Sequence, residues 1–421
     1  MINKTQLKPD KMGSYKEDDV IFLLRDISNL VLEKSTEERE SLIQSGTHYS
    51  EMLPVEFQPN EDYISLFHDT LQMYSERIAI AVGVVAEQIK AKNGLDNLVL
   101  VSLARAGTPI GVLIKRYLSF KYKVNVPHYS ISIIRGRGID ETAIDYIFAS
   151  HNQASIQFVD GWTGKGAITS ELDEACKKYN ETRGYLEGDL LEGQDPLTDK
   201  LESSFEKRDS EFLSKSSDST SEKQNNSSQT HNPAVPWLDS TLAVLADPGH
   251  CVSIYGTRDD FLIPSACLNS TVSGLVSRTV LNYKFMEKGD FHGAKFYQEL
   301  ADGDVSNLYI DTVVNEFGHT QAEVAQELAK LKKENTTPTW KGLKSVEAIS
   351  TAFNITNQHF IKPGVGETTR VLLRRIPWKI LVNPQFSNDL THILMLAEER
   401  NVPVEEFTEM SYSCCGIIKE L

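Results

Sequence analysis

The chain has 421 residues, 40% hydrophobic and 24% charged, the composition of a globular protein of about two or three domains that each bury a core. Lys and Arg number 43 against 59 Asp and Glu, a formal net charge of −16. That excludes loose whole-surface binding to nucleic acid and confines any RNA or phosphate site to a local basic patch.

No apolar run approaches the ~18–20 residues needed to cross a bilayer, and the polar first residues hold no signal-peptide core. Five cysteines (Cys176, Cys251, Cys267, Cys414, Cys415) form no CxxC pair and no metal-ligand spacing with histidine. The expectation is a reduced, cytoplasmic protein without membrane contact or structural zinc; the pattern carries no signal of oligomeric state. In chain order, residues 1–60 read as an N-terminal helical extension, with Ser35-Thr36-Glu37-Glu38 as a capping-box start. The loop His48–Pro54 reads as a packed connection, with a substrate loop as the other option. Glu61–Lys92 is amphipathic and predicts a long helix. Leu98–Leu103 predicts a buried strand, followed by Arg105-Ala106-Gly107 and a helix over Ile110–Leu118. Val126–Ile134 is extended and leads into Arg135-Gly136-Arg137-Gly138. Ile156–Val159 predicts a strand ending at Asp160, then a glycine-rich turn and a helix from Ala167.

Residues 201–236 are rich in Ser, Asn, Gln, Lys and Glu and predict a disordered insertion. Leu242–Asp247 predicts another strand, and Pro264–Asn282 a capped helix with small residues on one face. Connecting helices follow over 306–354. From residue 355 the pattern is α/β again, closing on a helix start at Cys415-Gly416. Strands alternating with helices predict a doubly wound parallel sheet over 61–305 and a small α/β/α domain over 355–421.

Three anion-friendly elements fall in one α/β segment. They are Arg105-Ala106-Gly107, the Arg135–Gly138 loop, and the turn Asp160–Ala167 with Gly161, Thr163, Gly164, Lys165 and Gly166. Parallel sheets bind ligands beyond the carboxyl ends of their strands, where glycines let backbone N–H groups approach an anion and arginines clamp it. The order of these elements resembles the type I phosphoribosyltransferases, although the second acid of their signature is Gly161 here.

That resemblance implies a substrate such as PRPP or a nucleotide-like compound, bridged by Mg²⁺. It implies ribose contacts by Asp160, a cradle of Gly161–Ala167, and Arg105, Arg135 and Arg137 around the leaving pyrophosphate. Most of the chain also resembles a bacterial family of tellurium-resistance and stress gene clusters, on segments such as QSGTHYSEMLP and DFLIPSACLNSTVSGLVSRTVLN. That family is described both as phosphoribosyltransferase-like and under the label cysteine protease StiP.

The transferase is the main expectation. One alternative is a cysteine hydrolase using Cys251 or Cys267; a thiolate needs a base, and neighbouring His250 would point away from Cys251 on a strand. The tail resembles Pelota and kink-turn-binding ribosomal-protein domains. This implies RNA contacts by Gly366, Glu367, Thr368, Thr369 and Arg370, and a second alternative, a non-catalytic nucleotide- or RNA-binding adaptor.

Overall fold

The computed structural model describes residues 7–30, 33–56, 59, 61–151, 153–184 and 237–420. The polar stretch 201–236 lies outside the described residues. The N-terminal segment holds short strands β1 (Ile21–Phe22), β2 (Arg25–Asp26), β3 (Glu33–Lys34) and β4 (Leu53–Pro54) and one helix, α1 (Thr36–Gln44). Ser35 caps α1 with the reciprocal Glu38 contact that its sequence predicts. The segment is less helical than expected, because β1 and β2 each complete a sheet.

The long amphipathic helix is α2 (Glu61–Asn93). It is followed by β5 (Leu98–Ala104), α3 (Gly107–Tyr122), β6 (His128–Ile134), β7 (Gly138–Ile139), α4 (Glu141–Ser150), β8 (Ser155–Trp162), α5 (Ala167–Thr182), β9 (Leu242–Ala246) and β10 (Ile254–Thr257). The main sheet runs β1-β6-β5-β8-β9-β10, all parallel, with β7 folded back antiparallel on β6. Both faces are covered. Val159 and Leu245 pack with Ile78, Val82 and Leu113 of α2 and α3, whereas Phe158 and Val244 pack with Ile144, Leu172 and Tyr179 of α4 and α5. Adjacent strand residues thus enter opposite cores, which is why these strands read as continuous apolar runs.

Beyond β10 the chain forms β11 (Gly293–Ala294), α6 (Ser306–Asn315), α7 (Gln321–Leu331) and α8 (Lys341–Ala352). A second sheet follows: β12 (Ile361–Pro363), α9 (Val365–Arg374), β13 (Pro377–Val382), α10 (Thr391–Glu399), β14 (Val404–Glu406) and β15 (Cys414–Ile418), in the order β12-β15-β13-β14.

Two sequence readings are corrected. Pro264–Asn282 is not a helix: it makes 3₁₀ turns at Pro264–Ala266 and Ser270–Val272, and Gly274 and Leu275 take positive φ, which no right-handed helix accepts. Cys415-Gly416 lies in strand β15, because Val371 and Thr368 of α9 pack directly on Gly416, against that face of the strand. No helix among the described residues is long and apolar enough to cross a membrane.

Candidate active site

The carboxyl ends of β5, β8 and β9 meet where the glycine-rich turn begins. Strand β8 continues through Asp160 and Gly161 to Trp162, so the turn starts two residues later than its sequence suggests. Gly107 sits so close to β8 that a Cβ there would lie 2.4 Å from the Val159 carbonyl oxygen, and only glycine permits this approach. Gly166, at φ +85°, turns the chain into α5.

The cavity above these ends has a volume of about 310 Å³ and is lined by Asp160, Lys165, Arg135, Lys362 and Glu367 among others. Asp160 Oδ1 accepts from its neighbour's N–H, Gly161, at 2.7 Å. Burial pushes the Asp160 carboxyl up to about 7, against that one hydrogen bond. Lys165 Nζ donates to the Gln358 carbonyl at 3.0 Å.

The other expected anion ligands face elsewhere. Arg105 pairs with Glu56 at 3.6 Å and donates to the Val276 carbonyl. Arg137 pairs with Glu51 at 2.5 Å and donates to the Leu281 carbonyl at 2.9 Å. The loop between them is pinned, since the Gly136 and Gly138 N–H groups both donate to the Glu171 carboxylate on α5. Arg135 stays at the cavity with its guanidinium 5.8 Å over the Tyr49 ring. The His48–Pro54 loop is a packed connection: Arg278 donates to the Tyr49 and Met52 carbonyls.

A second cluster lies beneath the turn. Asp247, just past β9, is fully buried, and its carboxylate receives the Thr163 hydroxyl, the Cys251 and Val252 N–H groups, and the Arg258 guanidinium. Burial raises the Asp247 carboxyl, and Arg258 and the hydrogen bonds oppose the rise. The Cys251 thiol donates to the Gly164 carbonyl at 3.6 Å, and Thr163 lies beside it. Burial, then Asp247, push that thiol up to about 12, so it is protonated at neutral pH. The Thr163 hydroxyl is therefore engaged within the chain, although the residue also lines the cavity. Asp247 was legible as a carboxylate at the end of the run LAVLAD; its link to Cys251 was not.

The start of α8 and Tyr412, just before β15, cover this cluster. Tyr412 Oη donates to the Gly164 carbonyl at 3.1 Å, Gly342 N donates to Gly249 at 2.9 Å, and the Thr339 and Trp340 N–H groups donate to His250. The Trp340 ring packs on Gly166. His250 offers no base to Cys251 within hydrogen-bonding distance, and burial holds its imidazole at about 4. Cys267 is buried in the α2 core with Thr70 Oγ1 3.9 Å from its sulfur.

The expected RNA-contact residues face the main sheet. Val365 N donates to Asp260 Oδ1 at 2.8 Å, Gly366 abuts Ala266, and Thr368 and Thr369 are buried. Arg370 pairs with Glu367 at 3.0 Å and lies over the Trp162 ring.

A family model described as "Tellurite-like stress resistance cysteine protease StiP" matches residues 13–202 and 210–314. The chain belongs to this StiP family. A model of the Pelota RNA-binding domain matches residues 340–420. A relative from Acinetobacter baylyi (strain ATCC 33305 / BD413 / ADP1), named "Cysteine protease StiP", is 30% identical over 415 residues, covering 95% of this chain and 91% of that protein. No solved structure matches.

The StiP description is of an enzyme and overturns the main expectation of a phosphoribosyltransferase acting on PRPP. The geometry gives a physical reason. Two of the three arginines that would clamp pyrophosphate are neutralised by Glu56 and Glu51, and the loop expected to move is tied down by Glu171. The Mg²⁺ was expected only as a bridge between oxygens of that substrate. The acids lining the cavity are Asp160 and Glu367, and among the described residues no group of three or more His, Cys, Asp or Glu could hold a metal ion.

Proposed function

We propose that this chain is a thiol hydrolase of peptide bonds with Cys251 as its nucleophile. The observation that carries this is the cluster at the carboxyl ends of β8 and β9, where parallel α/β sheets do their chemistry: Cys251 lies beside Thr163, and the Thr163 hydroxyl and the Cys251 N–H both donate to Asp247. In this reading the Cys251 proton passes through the Thr163 hydroxyl to Asp247 as sulfur attacks the scissile carbonyl. The amine leaves with a proton returned along the same path, and water then hydrolyses the thioester. Arg258 keeps Asp247 charged and oriented. Cys267 and Cys176 are buried in the two cores of the main sheet, Cys414 is buried beside Thr368, and Cys415 lies in the core of the second sheet.

Burial keeps Cys251 dormant under Trp340 and Tyr412, so turnover requires the cover to lift. The test is a casein-degradation assay with mass-spectrometric mapping of a thiol-reactive probe. Cys251→Ala is expected to lose at least about 10³-fold in activity, and Cys267→Ala to keep it within a few fold. Full activity in Cys251→Ala would remove the reading.

The Pelota match favours a second reading for residues 340–420, contact with RNA. It expects a salt-sensitive gel shift of the full chain with a structured RNA; no shift at low salt would count against it.

A further inference from the structure

Trp340 stands at the start of α8 with φ +53°, a left-handed conformation that a bulky side chain seldom takes. Its backbone is held against the loop that carries Cys251. The Thr339 and Trp340 N–H groups both donate to the His250 carbonyl at 3.0 Å, and the Gly342 N–H donates to the Gly249 carbonyl at 2.9 Å. This places the indole beside the thiol. A Cβ built on Gly166 would lie 2.2 Å from the ring and 3.1 Å from the Cys251 sulfur, so ring and sulfur flank one point that only glycine leaves open. A Cβ on Gly249 would lie 3.0 Å from the same sulfur. Two residues without side chains thus border the thiol, and a flat ring packs over one of them.

A bound peptide would lie in the same way, with its amide N–H groups on the carbonyls of the loop and a side chain beside the nucleophile. The segment around Trp340 is a peptide that resists attack. Its Trp340 carbonyl accepts from the Lys344 N–H at 3.3 Å, the first bond of α8, so the carbonyl next to the indole is committed to a helix. Trp340 also borders an open groove of about 700 Å³, along which Ser170, Thr356, Asn357 and Gln358 offer hydrogen-bonding partners to further residues of a chain.

We infer that Trp340 fills the slot that an aromatic side chain of the substrate takes, and that peptides with Trp, Phe or Tyr on the acyl side of the scissile bond enter it when the cover lifts. This rests on Cys251 as the nucleophile and names the class of its substrate. A slot that glycine opens to a flat ring buries the most apolar area with another flat ring, and a small side chain would leave its walls without contacts.

The first arm of the experiment reads the slot without hydrolysis. Trp340→Ala vacates it, and N-acetyltryptophanamide should then slow alkylation of Cys251 by iodoacetamide several-fold and saturably, as mapped by mass spectrometry. N-acetylalaninamide and N-acetylglutamate amide at equal concentration should leave the rate unchanged, and wild type, with its slot filled, should respond to none of the three. Trp340→Leu, which keeps more of the packing, gives the same comparison should the alanine variant unfold. The second arm uses wild type. The new C-termini of casein fragments should be enriched in Trp, Phe and Tyr over their share of casein, and this cleavage should vanish in Cys251→Ala. No saturable protection by N-acetyltryptophanamide, or equal protection by N-acetylalaninamide, overturns the slot. New C-termini without aromatic enrichment overturn the substrate class. Cleavage that persists in Cys251→Ala while protection holds overturns the nucleophile and not the slot.

Discussion

Among the cations around the carboxyl edge of the main sheet, five fall into two groups. Arg105 and Arg137 reach carboxylates supplied by the N-terminal segment, Glu56 and Glu51, and are closed off. Arg135, Lys165 and Lys362 line a cavity whose acids are Asp160 and Glu367, and among the described residues none of the three makes an ion pair. The same residue type in the same kind of loop is structural in one place and available in the other. What separates them is whether a distant segment brings an acid, and residues 51 and 56 are far from 105 and 137 in the chain.

Three changes probe this division and the cover above it. The largest effect is expected from Trp340→Ala. Its ring packs on Gly166 and joins the core on the α4 and α5 face of the main sheet. Its loss should cost about 2–3 kcal/mol in urea unfolding and raise Cys251 alkylation at least tenfold. Unchanged alkylation would mean that the second sheet does not guard the thiol.

A smaller effect is expected at Asp160. Its folded carboxyl is raised to about 7, above an unfolded value near 3.8, so the folded state holds the extra proton between those values. Stability is therefore greatest at the acid side and falls as pH rises from about 4 through 7. Asp160→Asn should remove that fall and gain about 1–2 kcal/mol at pH 8 relative to wild type, little of it at pH 4, because the side chain keeps some contact with solvent. Parallel stability–pH curves for the two proteins would refute this.

The smallest effect is expected from Glu51→Gln, which unpairs a partly buried Arg137 and should cost about 1 kcal/mol. Urea unfolding unchanged from wild type would mean that the pair with Glu51 does not hold Arg137.

Much of the fold was legible. Leu98–Leu103, Ile156–Val159 and Leu242–Ala246 read as buried strands because both faces of the sheet are covered, and Glu61–Lys92 read as a helix by its period. Pro264–Asn282 misled because small residues suit a tightly packed irregular chain as well as a helix. Cys415-Gly416 misled because glycine beside α9 serves close packing in β15 as readily as a turn.

The site was legible in its parts and not in its wiring. Asp160, Lys165 and Arg135 were singled out and share one cavity. Thr163 was assigned to a phosphate, yet its hydroxyl is held by Asp247, 84 residues away. Gly366–Arg370 were assigned to RNA, yet they lie on Asp260, Ala266 and Trp162 of the same chain.

By itself the sequence determined the strands, the helices and the glycines that let β5, β8 and α5 come together, because these follow from local period and backbone freedom. Only the tertiary structure decided which cation meets a carboxylate, which thiol lies beside a buried carboxylate, and what covers it. Those outcomes depend on pairings between residues tens to hundreds of positions apart, and charge and burial are properties of the assembled surroundings, which no local stretch contains.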